Sequence, residues 1–271
     1  MSVAVSQSRN MTAAGDILGR GVYSAAEAVR LINFRRADSP IRLPASKAAH
    51  QGPSDVGAAP EGRSISTQTI ARWLRGYDYS YRGTVRHSGP LWEPEYVNAD
   101  ETIELSFRDL IELRFVKTFR DLGLSLPAIR LCFERAVEVV RDARPFSTRR
   151  FRTDGETIFY EITDGVHEGQ LLDLKRRQGA FHRVMLPSLL DLEFDAEIVA
   201  RWFPLGMARK TIVLDPSRQF GHPIIVEGSV PTEALFESVK VEGSPEKVAQ
   251  LYEVPLAAVR DAVSFEQQLA H

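Results

Sequence analysis

The sequence has a single cysteine, Cys132, among its 271 residues. One thiol excludes an intramolecular disulfide and a zinc site built from thiolates, and it suits a reducing compartment. The chain also lacks the apolar stretch of a signal peptide and any apolar run near the roughly 18 residues that a membrane span needs. We therefore expect a soluble, cytoplasmic protein that does not bind membranes.

Signatures of common catalytic and metal sites are missing as well. The six histidines show no i, i+4 spacing or paired grouping, and no GxSxG, Walker A or GxGxxG pattern occurs. His222 and Asp154 could be combined as an acid–base pair, but the proline and glycine beside them explain both as turn residues. The sequence therefore predicts no enzyme, no metal site and no cofactor.

The chain has no overall excess of positive charge, since its formal net charge is -2 and its pI is near 6.3. Nucleic-acid binding would therefore need a local basic patch. Between Arg63 and Trp92, five arginines accompany a single acid, Asp78. From Thr211 onward the balance reverses to nine acids and four bases. One end of the chain could therefore face phosphates, which the other end would repel.

The stretch from Ser66 to Gly76 has the pattern of a two-sided helix. Ser66 is a suitable N-cap, and Gly76 is a suitable stop. At 3.6 residues per turn the side chains separate into an apolar side, Ile70, Trp73 and Leu74, and a polar side, Gln68, Arg72 and Arg75. We interpret this stretch as the recognition helix of a helix-turn-helix, because its polar side could read DNA.

A predicted hairpin follows, from Tyr77 to Tyr96. The alternating Tyr77, Tyr79 and Tyr81 indicate a strand, Gly83 and residues 88–90 supply turn residues, and Leu91 with Trp92 forms the predicted return strand. This pattern is typical of the wing that follows a recognition helix. The side chains predicted near its tip, where they would contact phosphates, are Arg82, Arg86 and His87. The tyrosine stripe favours packing over stacking on bases.

A first helix is predicted after Tyr23, where Ser24 and Glu27 have the spacing of a capping box. Between it and the recognition helix lies the segment 34–62, in which more than half of the residues are Ala, Pro, Gly or Ser. We interpret this segment as a disordered insertion in the turn, since loop-closure entropy rises only logarithmically with length. Four basic residues of this segment could contact the DNA backbone, but a solvated loop is the favoured interpretation; they are Arg35, Arg36, Arg42 and Lys47.

Two more helices complete a first domain, 20–144. One spans 106–122, and the other begins after Ser125 and ends near Ala143, with an apolar stripe that includes Cys132. Cys132 is therefore predicted to be a buried packing residue. No cysteine lies where a metal sensor would need one.

Two smaller units are predicted after residue 144. Residues 145–210 indicate a mixed α/β unit with a hairpin at 151–162, a basic helix at 171–181 and a strand around Trp202. Residues 211–271 contain a helix that opens at Ser244 and another after a turn at 253–255. We expect an α+β fold that is mainly helical.

Two parts of the sequence resemble known families. Residues 23–133, without the insertion, are similar to the N-terminal winged helix-turn-helix of MerR-type regulators, through YSAAEAVRLI, TIARWLRGY and SFRDLIELRFVKTFRDLGLSLPAIR. Residues 212–265 resemble the trihelical domain of VapB-like antitoxins, through FGHPIIVEGSVPTEAL, EGSPEKVAQLYEV and VRDAV. In this order the two parts look like the larger VapB-type antitoxins that are encoded beside PIN-like ribonuclease toxins.

The resemblance implies a DNA-binding repressor that sequesters a toxin. It implies binding to double-stranded DNA as a homodimer, although the predicted helix ending near Ala143 leaves no long dimerisation helix. The alternative is a protein-interaction module that neutralises a PIN-like toxin, or a regulator outside any toxin system. The residues expected to contact DNA are Thr67, Gln68, Thr69, Arg72, Arg75, Tyr79, Tyr81, Arg82, Arg86 and His87.

Overall fold

The computed structural model of this protein describes residues 19–34, 64–96, 102–121, 124–153, 155 and 189–270. About half of these residues are helical, and the strands form small two-stranded antiparallel sheets. The predicted α+β class is therefore confirmed. No helix among the described residues is long and apolar enough to cross a membrane.

The main helices and strands have the following bounds. The helices are α1 (Ala25–Asn33), α2 (Thr67–Arg75), α3 (Phe107–Asp121), α4 (Leu126–Val140), α5 (Thr232–Glu242), α6 (Pro245–Leu251) and α7 (Leu256–Leu269). The strand pairs are β1 (Tyr23–Ser24) with β4 (Glu104–Leu105), β2 (Tyr77–Tyr81) with β3 (Thr84–Ser88), β5 (Leu192–Asp195) with β6 (Ile198–Trp202), and β7 (Ile212–Val213) with β8 (Ile224–Ile225).

Helix α1 begins at the predicted capping box. The Glu27 backbone N–H donates to Ser24 Oγ at 3.2 Å, and the Ser24 backbone N–H donates to Glu27 Oε2 at 2.8 Å. Two otherwise unpaired N–H groups of the first turn are thereby satisfied. The helix buries Ala28, Leu31 and Ile32 and packs against α2.

The side chain of Asn33 links the two ends of the predicted insertion. Its Nδ2 donates to the Ile65 carbonyl at 2.9 Å, and its Oδ1 accepts from the Ile65 N–H at 2.8 Å. Because α2 starts two residues after Ile65, this clamp holds α1 and α2 next to each other. Phe34 packs on Phe265 with ring centroids 4.8 Å apart. The rest of the predicted disordered insertion, with its four basic residues, lies outside the described residues.

Helix α3 is the centre of the fold, because nearly all of its sides are covered. A helix buried all round must pair its charged groups, since an isolated buried charge is costly. Arg114 Nη2 lies 2.7 Å from Asp191 Oδ2, and Lys117 Nζ lies 2.5 Å from Asp121 Oδ2. Burial raises the pKa of Glu112 to about 8, against the lowering effect of hydrogen bonds from the Ser147 and Phe146 N–H groups.

Aromatic packing beside α3 overturns one local prediction. Residues 151–153 are helical, so the hairpin predicted at 151–162 is wrong there; most of its remainder lies outside the described residues. Phe151 packs on Phe146 at 4.7 Å and on Phe115 at 5.9 Å between ring centroids. Burial of this ring outweighs the turn preference of the following Asp-Gly pair. The basic helix predicted at 171–181 lies outside the described residues, whereas the strand around Trp202 is confirmed as part of β6.

Helices α6 and α7 start where the sequence predicts. The Lys247 N–H donates to Ser244 Oγ at 3.4 Å at the start of α6, and Glu253 turns the chain with φ of 54° before α7. Helices α5, α6 and α7 pack on one another around their own apolar cluster. Phe265 and Leu269 of α7 belong instead to the large core that contains α1, α3 and α4. This shared core crosses the predicted boundaries at 144 and 210; the three-unit division itself stays a prediction.

Replacing Asn33 with Ala removes both hydrogen bonds to Ile65. We expect the free energy of unfolding to fall by about 1–3 kcal/mol, since each such bond contributes about 0.5–1.5 kcal/mol. Urea denaturation measures this change. Gln268→Ala is the control, because that exposed amide makes only a 3.4 Å contact with Ser264. An equal loss in both variants would contradict a clamping role for Asn33.

Candidate nucleic-acid interface

Helix α2 is two-sided, as its sequence predicts. Ile70, Trp73 and Leu74 are at most 4% exposed and face the core. On the opposite side Thr67, Gln68 and Arg75 are exposed, and Arg72 is half-buried. Thr69 has a structural role in addition, because its N–H donates to Ser66 Oγ at 3.2 Å and its Oγ1 accepts from the Ser66 N–H at 3.5 Å.

The hairpin after α2 is shorter than the sequence predicts. Arg82 and Gly83 form its turn with φ of 52° and 80°, and β3 pairs with β2 directly afterwards. Positive φ at both turn residues matches the twist of a two-residue hairpin. The predicted return strand at Leu91 and Trp92 is therefore wrong. Both residues are 7% exposed and are packed into the core.

The pairing of β2 with β3 decides which side chains share a face. Tyr79 lies opposite Arg86, and cross-strand partners point to the same side of a sheet. The guanidinium carbon of Arg72 lies 5.4 Å from the Tyr77 ring centroid, and the Tyr77 and Tyr79 rings are 6.0 Å apart. Arg72, Tyr77, Tyr79 and Arg86 thus form a continuous surface from α2 onto the hairpin, which we call the arginine–tyrosine face.

His87 does not lie on this face. It is opposite Asp78 in the register, and its Nδ1 is 2.7 Å from Asp78 Oδ1 on the other side of the hairpin. The prediction that His87 lies near the tip is also wrong, because His87 is the second-to-last residue of β3 and so lies near the base of the hairpin. Arg82 is at the tip and exposed, whereas the side chain of Tyr81 lies outside the described residues. The predicted residues are therefore divided between two faces.

Three contacts hold the hairpin against α2 and α4. A Cβ added to Gly76 would lie 2.5 Å from the Ser88 carbonyl oxygen, so only glycine allows this close approach. After the hairpin, the Leu91 N–H donates to the Trp73 carbonyl at 2.7 Å. Arg130 Nη2 of α4 donates to the Gly89 carbonyl at 2.7 Å and to Ser88 Oγ at 3.2 Å. Sequence reasoning missed Arg130, because nothing local connects it to the hairpin.

The chain leaving the hairpin is tied to a buried carboxylate. Trp92 Nε1 donates to Asp109 Oδ1 at 3.0 Å, and its ring stacks on Phe133 with centroids 5.3 Å apart. Arg144 Nε donates to the same carboxylate oxygen at 2.7 Å. The hairpin is thus attached at both ends to buried groups of the core.

The remaining candidate groups do not form a chemical site. Burial raises the pKa of Cys132 to about 12, so this thiol is a packing residue. His222 Nδ1 is 3.4 Å from Glu27 Oε1, while its suggested partner Asp154 lies outside the described residues. Within the part of the chain that the structure describes, no group of three or more His, Cys, Asp or Glu could hold a metal ion.

The fold has a counterpart among solved structures. The X-ray crystal structure of Rv2018 from Mycobacterium tuberculosis aligns with a TM-score of 0.61 over 89% of this chain and 96% of that chain. The sequence identity is 18%, so the likeness shows a shared fold alone. No family model matches this sequence, and no curated protein does.

Gly76→Ala tests the close approach between α2 and the hairpin. We expect a loss of about 2–4 kcal/mol in the free energy of unfolding, because the new Cβ meets both an unfavourable positive φ and the Ser88 carbonyl. Gly83→Ala is the matched control, since Gly83 also has positive φ but nothing lies within 4 Å of an added Cβ. Urea denaturation of both variants should give the larger loss at Gly76. Equal losses would mean that the contact with Ser88 is unimportant.

Proposed function

We propose that this protein is a cytoplasmic, sequence-specific regulator that binds double-stranded DNA. In this proposal α1 and α2 form a helix-turn-helix and the β2–β3 hairpin is its wing. The observation that carries the proposal is the arginine–tyrosine face, which continues from the outer side of α2 onto the hairpin. Asp78, the single acid between Arg63 and Trp92, lies on the other side of the hairpin beside His87. The whole chain has a net charge of -2, so this local concentration of arginines is a specific feature.

The dimensions of α2 suit a major groove. Nine helical residues extend about 13 Å, and the groove is about 12 Å wide. Gln68 and Arg72 lie one helical turn apart on the outer side. Glutamine pairs bidentately with adenine and arginine with guanine, so these two side chains are assigned to base edges. Thr67 and Arg75 are assigned to flanking contacts.

The hairpin supplies contacts that position the duplex. Arg82 at the tip and Arg86 on the arginine–tyrosine face are exposed and suited to phosphate oxygens. Tyr79 lies beside Arg86, where its hydroxyl can reach the same phosphate strand. The contacts of Gly76, Leu91 and Trp92 hold the hairpin backbone beside α2, which limits how far the proposed base-reading and phosphate-binding groups can move apart.

A single nine-residue helix reads few base pairs, so we infer that the protein binds as a homodimer. Paired half-sites one helical turn apart then provide the specificity. Selection of random duplexes on the purified full chain should return a palindromic consensus. That consensus is also the substrate for the variants below.

Arg72→Ala should weaken binding to the selected duplex by about 1–3 kcal/mol and relax the preference at one base pair.

Arg86→Ala should weaken binding to all duplexes alike and reduce the slope of log affinity against log salt by about one unit. Fluorescence anisotropy on matched and single-mismatch duplexes, between roughly 50 and 200 mM salt, measures both effects.

Arg260→Ala serves as the control, because this exposed arginine of α7 pairs with Glu246 at 2.7 Å far along the chain from the hairpin. It should bind DNA like the wild type. The proposal fails if neither arginine variant differs from this control, or if wild-type affinity is insensitive to salt.

A second function, toxin binding, is favoured by the charge of the C-terminal surface. Three of the nine acids after Thr211 are buried and paired with arginines: Asp215 with Arg201, Asp261 with Arg209 and Glu266 with Arg30. The six exposed acids are Glu227, Glu233, Glu237, Glu242, Glu246 and Glu253. An acidic surface suits a basic protein and opposes DNA. We therefore propose that it binds a PIN-like toxin and that the protein acts as an autorepressing antitoxin.

Reversing two of these charges tests the antitoxin proposal. The double variant Glu237→Lys, Glu242→Lys should weaken binding to a PIN-like nuclease from the adjacent gene by roughly tenfold or more. Glu134→Lys with Glu138→Lys on α4 reverses the same number of exposed charges and should leave binding unchanged. Isothermal titration calorimetry distinguishes the two variants. A nuclease that does not bind the wild type, or binds both variants equally, excludes this role.

A further inference from the structure

A partly enclosed cavity lies where α1 meets the C-terminal helices. Its volume is about 260 Å³, near the lower end of the roughly 300–1,000 Å³ of small-molecule sites. Four separate stretches form its walls: the outer side of α1, the turn at 219–223, the start of α5 and the end of α7. Such convergence of distant segments gives a shaped pocket rather than a surface groove.

The turn at 219–221 is held in an unfavourable conformation. Gln219, Phe220 and Gly221 have consecutive φ values of 45°, 53° and 86°. Two contacts with the N-terminal segment maintain it: the Val22 N–H donates to the Phe220 carbonyl at 3.0 Å, and Tyr23 Oη donates to the Gly221 carbonyl at 2.7 Å. Backbone strain of this kind is concentrated at functional sites.

The same turn places an exposed aromatic residue at the cavity. Phe220 is 56% exposed, which is unusual for a large apolar side chain, and it belongs to the lining of the cavity. Leu31, Pro223, Pro231 and Leu269 supply further apolar wall. The lining therefore combines these apolar residues with seven polar or charged ones, a mixture that suits a ligand with both an apolar body and a charged group.

The charged groups of the cavity carry an excess of carboxylates. Glu266 accepts from Arg30 Nη2 at 3.3 Å and from Thr232 Oγ1 at 2.5 Å. Glu27 lies 3.4 Å from His222 Nδ1, and Glu233 lines the cavity from the first turn of α5. Burial first, and then repulsion by Glu233 and Glu237, raise the pKa of Glu266 against the opposing effects of Thr232 and Arg30. The lining thus contains three carboxyl groups and a single arginine.

We propose that this cavity binds a small organic cation, a protonated amine on a compact apolar body. The ammonium group would lie between Glu233 and Glu266, and the apolar body would lie against Phe220, Pro231 and Leu269. The exposed Phe220 ring adds a cation–π contribution. This proposal is independent of the proposed DNA binding, since none of the cavity residues belongs to the arginine–tyrosine face.

Titration of the full-length protein with 2-phenylethylamine tests the proposal, with amide shifts in ¹⁵N–¹H spectra as the readout. We expect a Kd on the order of 1 mM, which corresponds to about −0.5 kcal/mol for each of roughly nine non-hydrogen atoms and lies within the range for small ligands. The uncharged 2-phenylethanol and the anionic 3-phenylpropionate have the same ring and should bind at least about fivefold more weakly, if the ammonium interacts as proposed.

Two variants connect binding to the cavity. Glu233→Gln should raise the Kd roughly two- to fivefold, the range for a partly exposed charge pair, and Phe220→Ala should raise it about fivefold. Glu134→Gln on α4 and Val241→Ala are exposed controls outside the cavity and should bind like the wild type.

Any of three results would overturn the proposal. The first is the absence of saturable shifts up to about 10 mM amine, which is roughly ten times the expected Kd. The second is equal binding of the alcohol or the carboxylate, and the third is an unchanged Kd in both cavity variants.

Discussion

The arrangement of this fold depends on one buried carboxylate, that of Asp109. It is 0% exposed, and an ionised carboxylate without partners there would cost several kcal/mol. Its oxygens accept from Trp92 Nε1 at 3.0 Å, Arg144 Nε at 2.7 Å, the Glu95 N–H at 3.0 Å and Ser106 Oγ at 3.1 Å. Three of these donors precede α3 in the chain, and Arg144 follows α4. The hydrogen bonds to Asp109 therefore also position the segment that leaves the hairpin carrying Arg86.

Helix α1 connects the two functional regions that we propose. One side packs on α2, and the other meets α7 through Phe34 on Phe265 and Arg30 on Glu266. Because the main core includes Phe265 and Leu269, the C-terminal helices stabilise the part of the protein that presents the arginine–tyrosine face. The cavity for an organic cation lies at this junction, and it shares Glu233 with the acidic C-terminal surface.

Several features followed from local pattern because their causes are local. The capping boxes at Ser24 and Ser66 join residues three positions apart, and the two sides of α2 follow from its period of 3.6 residues. The hairpin illustrates the limit. Alternating tyrosines indicated the first strand, but the end of the second depended on whether Leu91 and Trp92 entered the sheet or the core. Those large side chains are buried in the core, so the second strand is Thr84–Ser88 and His87 lies near the base of the hairpin instead of its tip.

The sequence by itself determined the serine N-caps of α1, α2, α4 and α6, the outward side of α2, the α+β class and the opposite charge of the two ends. Each of these depends on neighbours within about one helical turn or on composition. Only the tertiary structure decided which face of the hairpin carries Arg86, which arginines pair with the buried acids, and where the cavity lies. Those features join residues far apart, such as Tyr23 and Gly221 at a separation of 198 positions. Their positions follow from close packing of the core, which no local pattern encodes.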